Sequence, residues 1–153
     1  EVAKKIPALI RNVITLGTPF SGPARATNAW RIYELLSGQK VEDHHLHWQI
    51  AKTPPVPTTS IYSKTDGVVA WQCSLNPRRK LAENIQVHSS HLGMISNPLV
   101  QYIIADRLAQ TKKHWQPFQV HGYRKWFFKN GSVSESEKVF SKFALNTEKL
   151  SNP

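Results

Sequence analysis

Two residues with complementary chemistry stand 25 positions apart: Asp66 in "IYSKTDGVVAW", residues 61–71, and His91 in "VHSSHLGM", residues 87–94. Each follows a short run of β-branched and apolar residues and so sits at the end of an expected strand. Alone, a Thr-Asp-Gly stretch is a turn former, because an aspartate side chain bonds the backbone two residues on. A lone loop histidine is equally ordinary. Together, an acid and an imidazole at successive strand ends suit nucleophilic acyl transfer. A serine hydroxyl is a poor nucleophile at neutral pH; the imidazole takes its proton, and the carboxylate fixes the tautomer and stabilises the imidazolium that forms.

The elements that would position this pair read as follows. Residues 1–11 suit a helix end, with Val2, Ala3, Ile6 and Ile10 at helical spacing and Pro7 as an interruption. Val13–Leu16 is a continuous apolar run stopped by Gly17 and Pro19, as expected for an interior parallel strand. Residues 24–51 carry an apolar stripe of Ala29, Ile32, Tyr33, Leu35 and Leu36 before Gly38. "VPTTSIYS" and "ENIQV" supply a second and third strand. "NPLVQYIIADRLAQ" is the clearest helix: Asn97 caps, Pro98 suits the first turn, and Leu99, Val100, Ile103, Ile104 and Leu108 form an apolar face. Strands alternating with helices predict an α/β domain with a mostly parallel sheet, flanking helices and right-handed crossovers. In such sheets the carboxyl ends of the strands face the ligand crevice, which is where Asp66 and His91 both fall.

At these residues the chain resembles the α/β-hydrolases of the esterase and lipase type. "RNVITLGTPFSG", "VPTTSIYSKTDGVVAWQCS", "ENIQVHSSHLGM" and "NPLVQYIIADRLAQ" are similar to the carboxy-terminal half of that fold, in the right order, over residues 1–110. The resemblance implies a partial α/β-hydrolase fold with a lid-like insertion at 23–53, in which Asp66 is the triad acid and His91 the triad histidine. It implies a carboxylic ester or lipid ester as substrate and no cofactor. Nucleophile, acid, histidine is the family's order along the chain, so the serine belongs before Asp66.

No G-x-S-x-G occurs in the 153 residues. The elbow serine is expected about ten residues before Glu1, as though the sequence began in mid-domain, because it opens the helix whose end lies at residues 1–11. The chain by itself is then expected to be inactive by that route, to leave an exposed strand edge at Val13–Leu16 where sheet strands are missing, and to associate with a missing amino-terminal half. Of the serines present, Ser21 follows a strand without a strand-to-helix elbow. Ser89 and Ser90 are too near His91 in sequence to reach it in the usual geometry. All three read as turn hydroxyls.

Other features carry less. Asp43, His44, His45 and His47 match no zinc spacing, since helical sites want histidines four apart and adjacent ones diverge. Cys73 is the single cysteine, so no internal disulfide forms. The composition, 40% hydrophobic and 10% aromatic, is too apolar for a disordered chain, and no run is long enough to span a bilayer. With neither a signal nor a spanning segment in view, the cytoplasm or a membrane periphery is the expected location.

The net charge is +10, from 20 basic and 10 acidic residues, and the 43 residues from Thr111 carry half of it. There Trp115, Phe118, Tyr123, Trp126, Phe127 and Phe128 interleave with Lys112, Lys113, Arg124, Lys125 and Lys129, without sustained periodicity. Residues 111–153 are therefore a basic, aromatic extension with two readings. Its rings pack on the sheet domain and leave the lysines in water, or they meet an anionic partner, a membrane surface in preference to nucleic acid. The alternative function is accordingly a non-catalytic α/β module bound to such a partner through this tail.

Overall fold

The computed structural model describes residues 2–20, 53–111 and 114–130. The helical stripe at 24–51, the lid-like insertion, Ser21 and the histidine-rich segment lie outside the described residues. Helix α1, Val2–Lys5, and a 3-10 turn at Pro7–Leu9 lead into strand β1, Val13–Leu16. Strand β2 is Thr58–Ser63 and strand β3 is Ala82–Val87, with a 3-10 turn at Trp71–Ser74 between them. A further 3-10 turn, Leu92–Ile95, precedes helix α2, Pro98–Ala109; another, Gly122–Trp126, precedes the two-residue strand β4, Lys129–Asn130.

The four strands form one sheet in the order β1-β2-β3-β4. β1 and β2 are parallel with Val13 opposite Thr58, and β2 and β3 are parallel with Thr58 opposite Ala82. β4 adds antiparallel to β3, Gln86 opposite Lys129. The architecture is thus α/β with a small, mostly parallel sheet.

Among the described residues β1 lies at the edge of the sheet, where the open edge of a partial sheet is expected, and all four of its residues are only half-buried. The strand buried along its whole length is β2, whose sequence is polar. Three of its aliphatic hydroxyls find acceptors, which lowers the cost: Thr58 Oγ1 donates to Val56 O at 2.9 Å, Thr59 Oγ1 to Glu83 Oε1 at 2.7 Å, and Ser60 Oγ to Ser74 O.

α2 starts as expected. Asn97 Oδ1 accepts from Leu99 N at 2.9 Å and Pro98 opens the first turn. Its buried stripe, however, is Val100, Ile103 and Arg107, while Leu108 is exposed. Arg107 is stable in that position because all three nitrogens of its guanidinium donate hydrogen bonds. Nη1 donates to Glu83 Oε1 at 2.9 Å and to Gln116 O at 2.7 Å, and Nε donates to Asp106 Oδ2 at 3.2 Å. At the far end of α2, Arg11 Nη2 donates to the carbonyls of Leu108 and Gln110, tying the chain before β1 to the helix terminus.

The core joins Ile61, Ile85, Val87, Met94, Val100 and Ile103 to two rings of the extension, Phe118 and Phe128. Phe118 meets Phe128 edge to face at 5.1 Å between centroids, and the guanidinium groups of Arg107 and Arg124 lie over it at 5.4 and 4.8 Å. Its backbone N–H donates to Glu83 Oε2 at 2.6 Å, so one glutamate on β3 ties β2, α2 and the extension together.

Candidate active site

Three strand ends converge at the carboxyl edge of the sheet. After β1 the chain turns at Gly17, which has φ +52°, and its N–H donates to Ile61 O of β2 at 2.9 Å. After β2, the turn through Lys64 and Thr65 delivers Asp66. After β3, His88 to Ser90 lead to His91 at the start of the 3-10 turn.

His91 Nδ1 lies 2.7 Å from Asp66 Oδ2. A carboxylate only accepts, so Nδ1 carries the proton, and in the neutral ring Nε2 is left with its lone pair. The Asp66 side chain is 2% exposed and that of His91 30%, so the bond is screened from water while the ring keeps an open side. Among the described residues, no group bonds Nε2. The other oxygen of Asp66 is occupied too: Oδ1 accepts from the backbone N–H groups of Val68 and Val69, both at 2.9 Å. One oxygen forms the turn and the other holds the imidazole, so the turn role of Asp66 and its bond to His91 are compatible.

Gly17 closes the pair from the third strand end. A Cβ at this position would stand 2.8 Å from Asp66 Oδ2 and 3.2 Å from His91 Nδ1, inside contact distance of both. Only a residue without a side chain fits the space, and the left-handed backbone there also favours glycine.

A hydroxyl clasp fixes the two loops relative to each other. Ser63 Oγ, at the end of β2, accepts from Thr65 N at 3.2 Å and from Ser89 N at 3.1 Å. Thr65 Oγ1 donates to Ser89 O at 3.1 Å. Its one proton is thereby committed, so the 2.9 Å bond between the two hydroxyls has Ser63 as donor. The loop bearing Asp66 and the loop bearing His91 are bolted together one turn from the residues they carry.

None of this clasp, nor Gly17, stands out from sequence alone. The only available signals are the Ser-x-Thr spacing at a strand end and a glycine directly after a strand, and both are common in ordinary turns. Of the serines weighed as nucleophiles, Ser90 Oγ accepts from Gly93 N at 3.2 Å, which is turn chemistry, and Ser89 meets the clasp through its backbone. Cys73 is fully buried, and desolvation pushes its thiol pKa up from 9.0, which disfavours the reactive thiolate. Among the described residues, no group of three metal-ligating side chains exists, and no helix is long and apolar enough to cross a membrane.

Comparisons with family models, with curated proteins and with solved structures find no match. What the pair can do must therefore be read from its own geometry: an imidazole with a fixed tautomer, a shielded carboxylate behind it and an unbonded nitrogen in front is a proton acceptor poised for a hydroxyl or a water.

Proposed function

We propose that the chain carries the acid and the base of a serine hydrolase of the esterase or lipase type, within part of an α/β-hydrolase fold. The observation that supports this most is the 2.7 Å bond between His91 Nδ1 and a buried Asp66 at the carboxyl edge of a parallel sheet. The resemblance of residues 1–110 to the carboxy-terminal half of that fold points the same way.

In this reading His91 Nε2 takes the proton of a serine hydroxyl as its oxygen attacks the ester carbonyl. Asp66 stabilises the imidazolium electrostatically and stays ionised. Collapse of the tetrahedral intermediate breaks the bond to the alcohol, which leaves with the proton from Nε2. A water then repeats the sequence on the acyl-enzyme, releasing the carboxylic acid and restoring the serine. The serine and the donors that bind the oxyanion belong to polypeptide outside this sequence, since no G-x-S-x-G stands in it.

The test is a fluorophosphonate probe applied to the chain as given and to the chain extended by the coding sequence that precedes Glu1. Labelling is expected in the extended protein alone. There, Asp66→Asn should cut ester turnover about 10⁴-fold, as loss of the orienting acid does in such triads. Labelling of the given chain that vanishes with Ser21→Ala would move the nucleophile to Ser21. No labelling of either would leave the non-catalytic module as the better reading.

A further inference from the structure

The extension divides its aromatic residues into two sets. Phe118 and Phe128 are 1% and 3% exposed and belong to the core, whereas Trp126 is 87% exposed and Phe127 57%, with Tyr123 also outside. Large rings left in water are costly, and side by side in sequence they form a patch that asks for a partner. The turn that carries them is tied to the domain by hydrogen bonds. Arg124, in the same 3-10 turn, donates Nη2 to Tyr102 Oη at 2.7 Å and to Asp106 Oδ1 at 3.0 Å on α2. Tyr102 and Tyr123 share a hydroxyl bond at 3.0 Å, and the Phe128 N–H closes on Arg124 O at 2.9 Å. The turn is bolted to the domain on one side and presents Trp126 and Phe127 on the other.

The charge beside these rings is positive. Lys125 and Lys129 flank them and are exposed, while the one guanidinium of the turn is consumed by Asp106 and Tyr102. Nucleic-acid readout leans on free guanidinium forks that bind phosphates or bases bidentately, and the described turn offers none. Lysine ammonium groups beside tryptophan and phenylalanine are instead the chemistry of a bilayer interface, where amphipathic rings sit among headgroups and cations meet acidic lipid.

We propose that Gly122–Lys129 is an interfacial docking knob, inserting Trp126 and Phe127 into an acidic phospholipid surface with Lys125 and Lys129 against its phosphates. The knob works independently of the Asp66–His91 pair and holds whether or not that pair is catalytic. Were both true, it would hold the sheet domain at the surface where lipid esters reside.

The test is flotation of the full chain with vesicles of phosphatidylcholine alone and of phosphatidylcholine with phosphatidylserine. Binding is expected to the acidic vesicles and to weaken as salt rises. Trp126→Ser with Phe127→Ser should reduce it by at least about 10-fold from the lost apolar insertion. Each of Lys125→Gln and Lys129→Gln should reduce it about 5-fold. The single changes Arg79→Gln and Lys80→Gln, at exposed residues and each removing one charge elsewhere, are the control, and far-UV circular dichroism establishes that the variants fold. The proposal is overturned if the chain does not float, if the ring variant floats like wild type, if the control weakens binding as much as the Lys125 and Lys129 changes, or if an oligonucleotide displaces the chain from the vesicles.

Discussion

Asp66 has two oxygens and three hydrogen bonds, and the division between them explains why it can be both a turn residue and a site residue. The N–H groups of Val68 and Val69 would be left without an acceptor if the carboxylate swung away, so the loop itself holds Oδ2 in place for His91. Gly17 sets the remaining wall, and it offers a clean test at this scale. Gly17→Ala forces a left-handed alanine, costing about 1–2 kcal/mol by itself, and drives a methyl into Asp66 Oδ2 and His91 Nδ1. Thermal melting should show lost stability, and the downfield Nδ1 proton resonance of His91 should shift or broaden. A variant that melts like wild type with that resonance in place would mean that the three strand ends leave room for a methyl group. Asp66 and His91 were legible from residue type and strand-end position. Gly17 was not, because what makes it special is the distance to two residues 49 and 74 positions away.

The elements show where local pattern suffices and where it does not. Strands β1, β2 and β3 and helix α2 follow from β-branched runs, a capping asparagine and a first-turn proline, all of which act within a few residues. Burial does not act locally. The stripe on α2 points to Leu108, yet Arg107 is the residue inside, because Glu83 and Gln116 supply acceptors that no helical periodicity can announce. The apolar run of β1 suits a strand covered on both faces, yet its four residues are only half-buried; among the described residues it pairs on one side only, the open edge expected of a partial sheet. The clasp between the loops belongs to this scale as well. Ser63→Ala removes one hydroxyl that serves the N–H groups of both Thr65 and Ser89. Both donors are only part-buried, so leaving them without an acceptor costs the lower end of the about 1–3 kcal/mol of a buried group. Hydrogen exchange should show the Ser89 amide losing protection ahead of the β3 amides, and equal protection in the variant would show that the clasp holds nothing.

At the scale of the molecule, residues 114–130 supply part of the domain's own core. Sequence offered a choice between a tail packed on the sheet and a tail facing a partner, and the described residues divide between the two: Phe118 and Phe128 inside, Trp126 and Phe127 outside. Aromatic residues interleaved with lysines give no period to read, so only the docking of Phe118 under Arg107 and Arg124 distinguishes one ring from the next. Phe118→Ala should therefore cost about 3–5 kcal/mol, a large share of the 5–15 kcal/mol typical of a domain. The melting temperature should fall by on the order of 10 °C at this chain length. A variant melting within a degree or two of wild type would show the extension to be an appendage.

The double duty of Asp66 also has a consequence across generations. In a lineage that had abandoned the chemistry, drift could not easily remove the aspartate, because Val68 and Val69 would still need their acceptor. His91 has no such second employment among the described residues: its imidazole bonds Asp66 alone. On the hydrolase reading proposed above, position 91 is therefore the one free to change once the chemistry is lost, while position 66 stays under structural constraint either way.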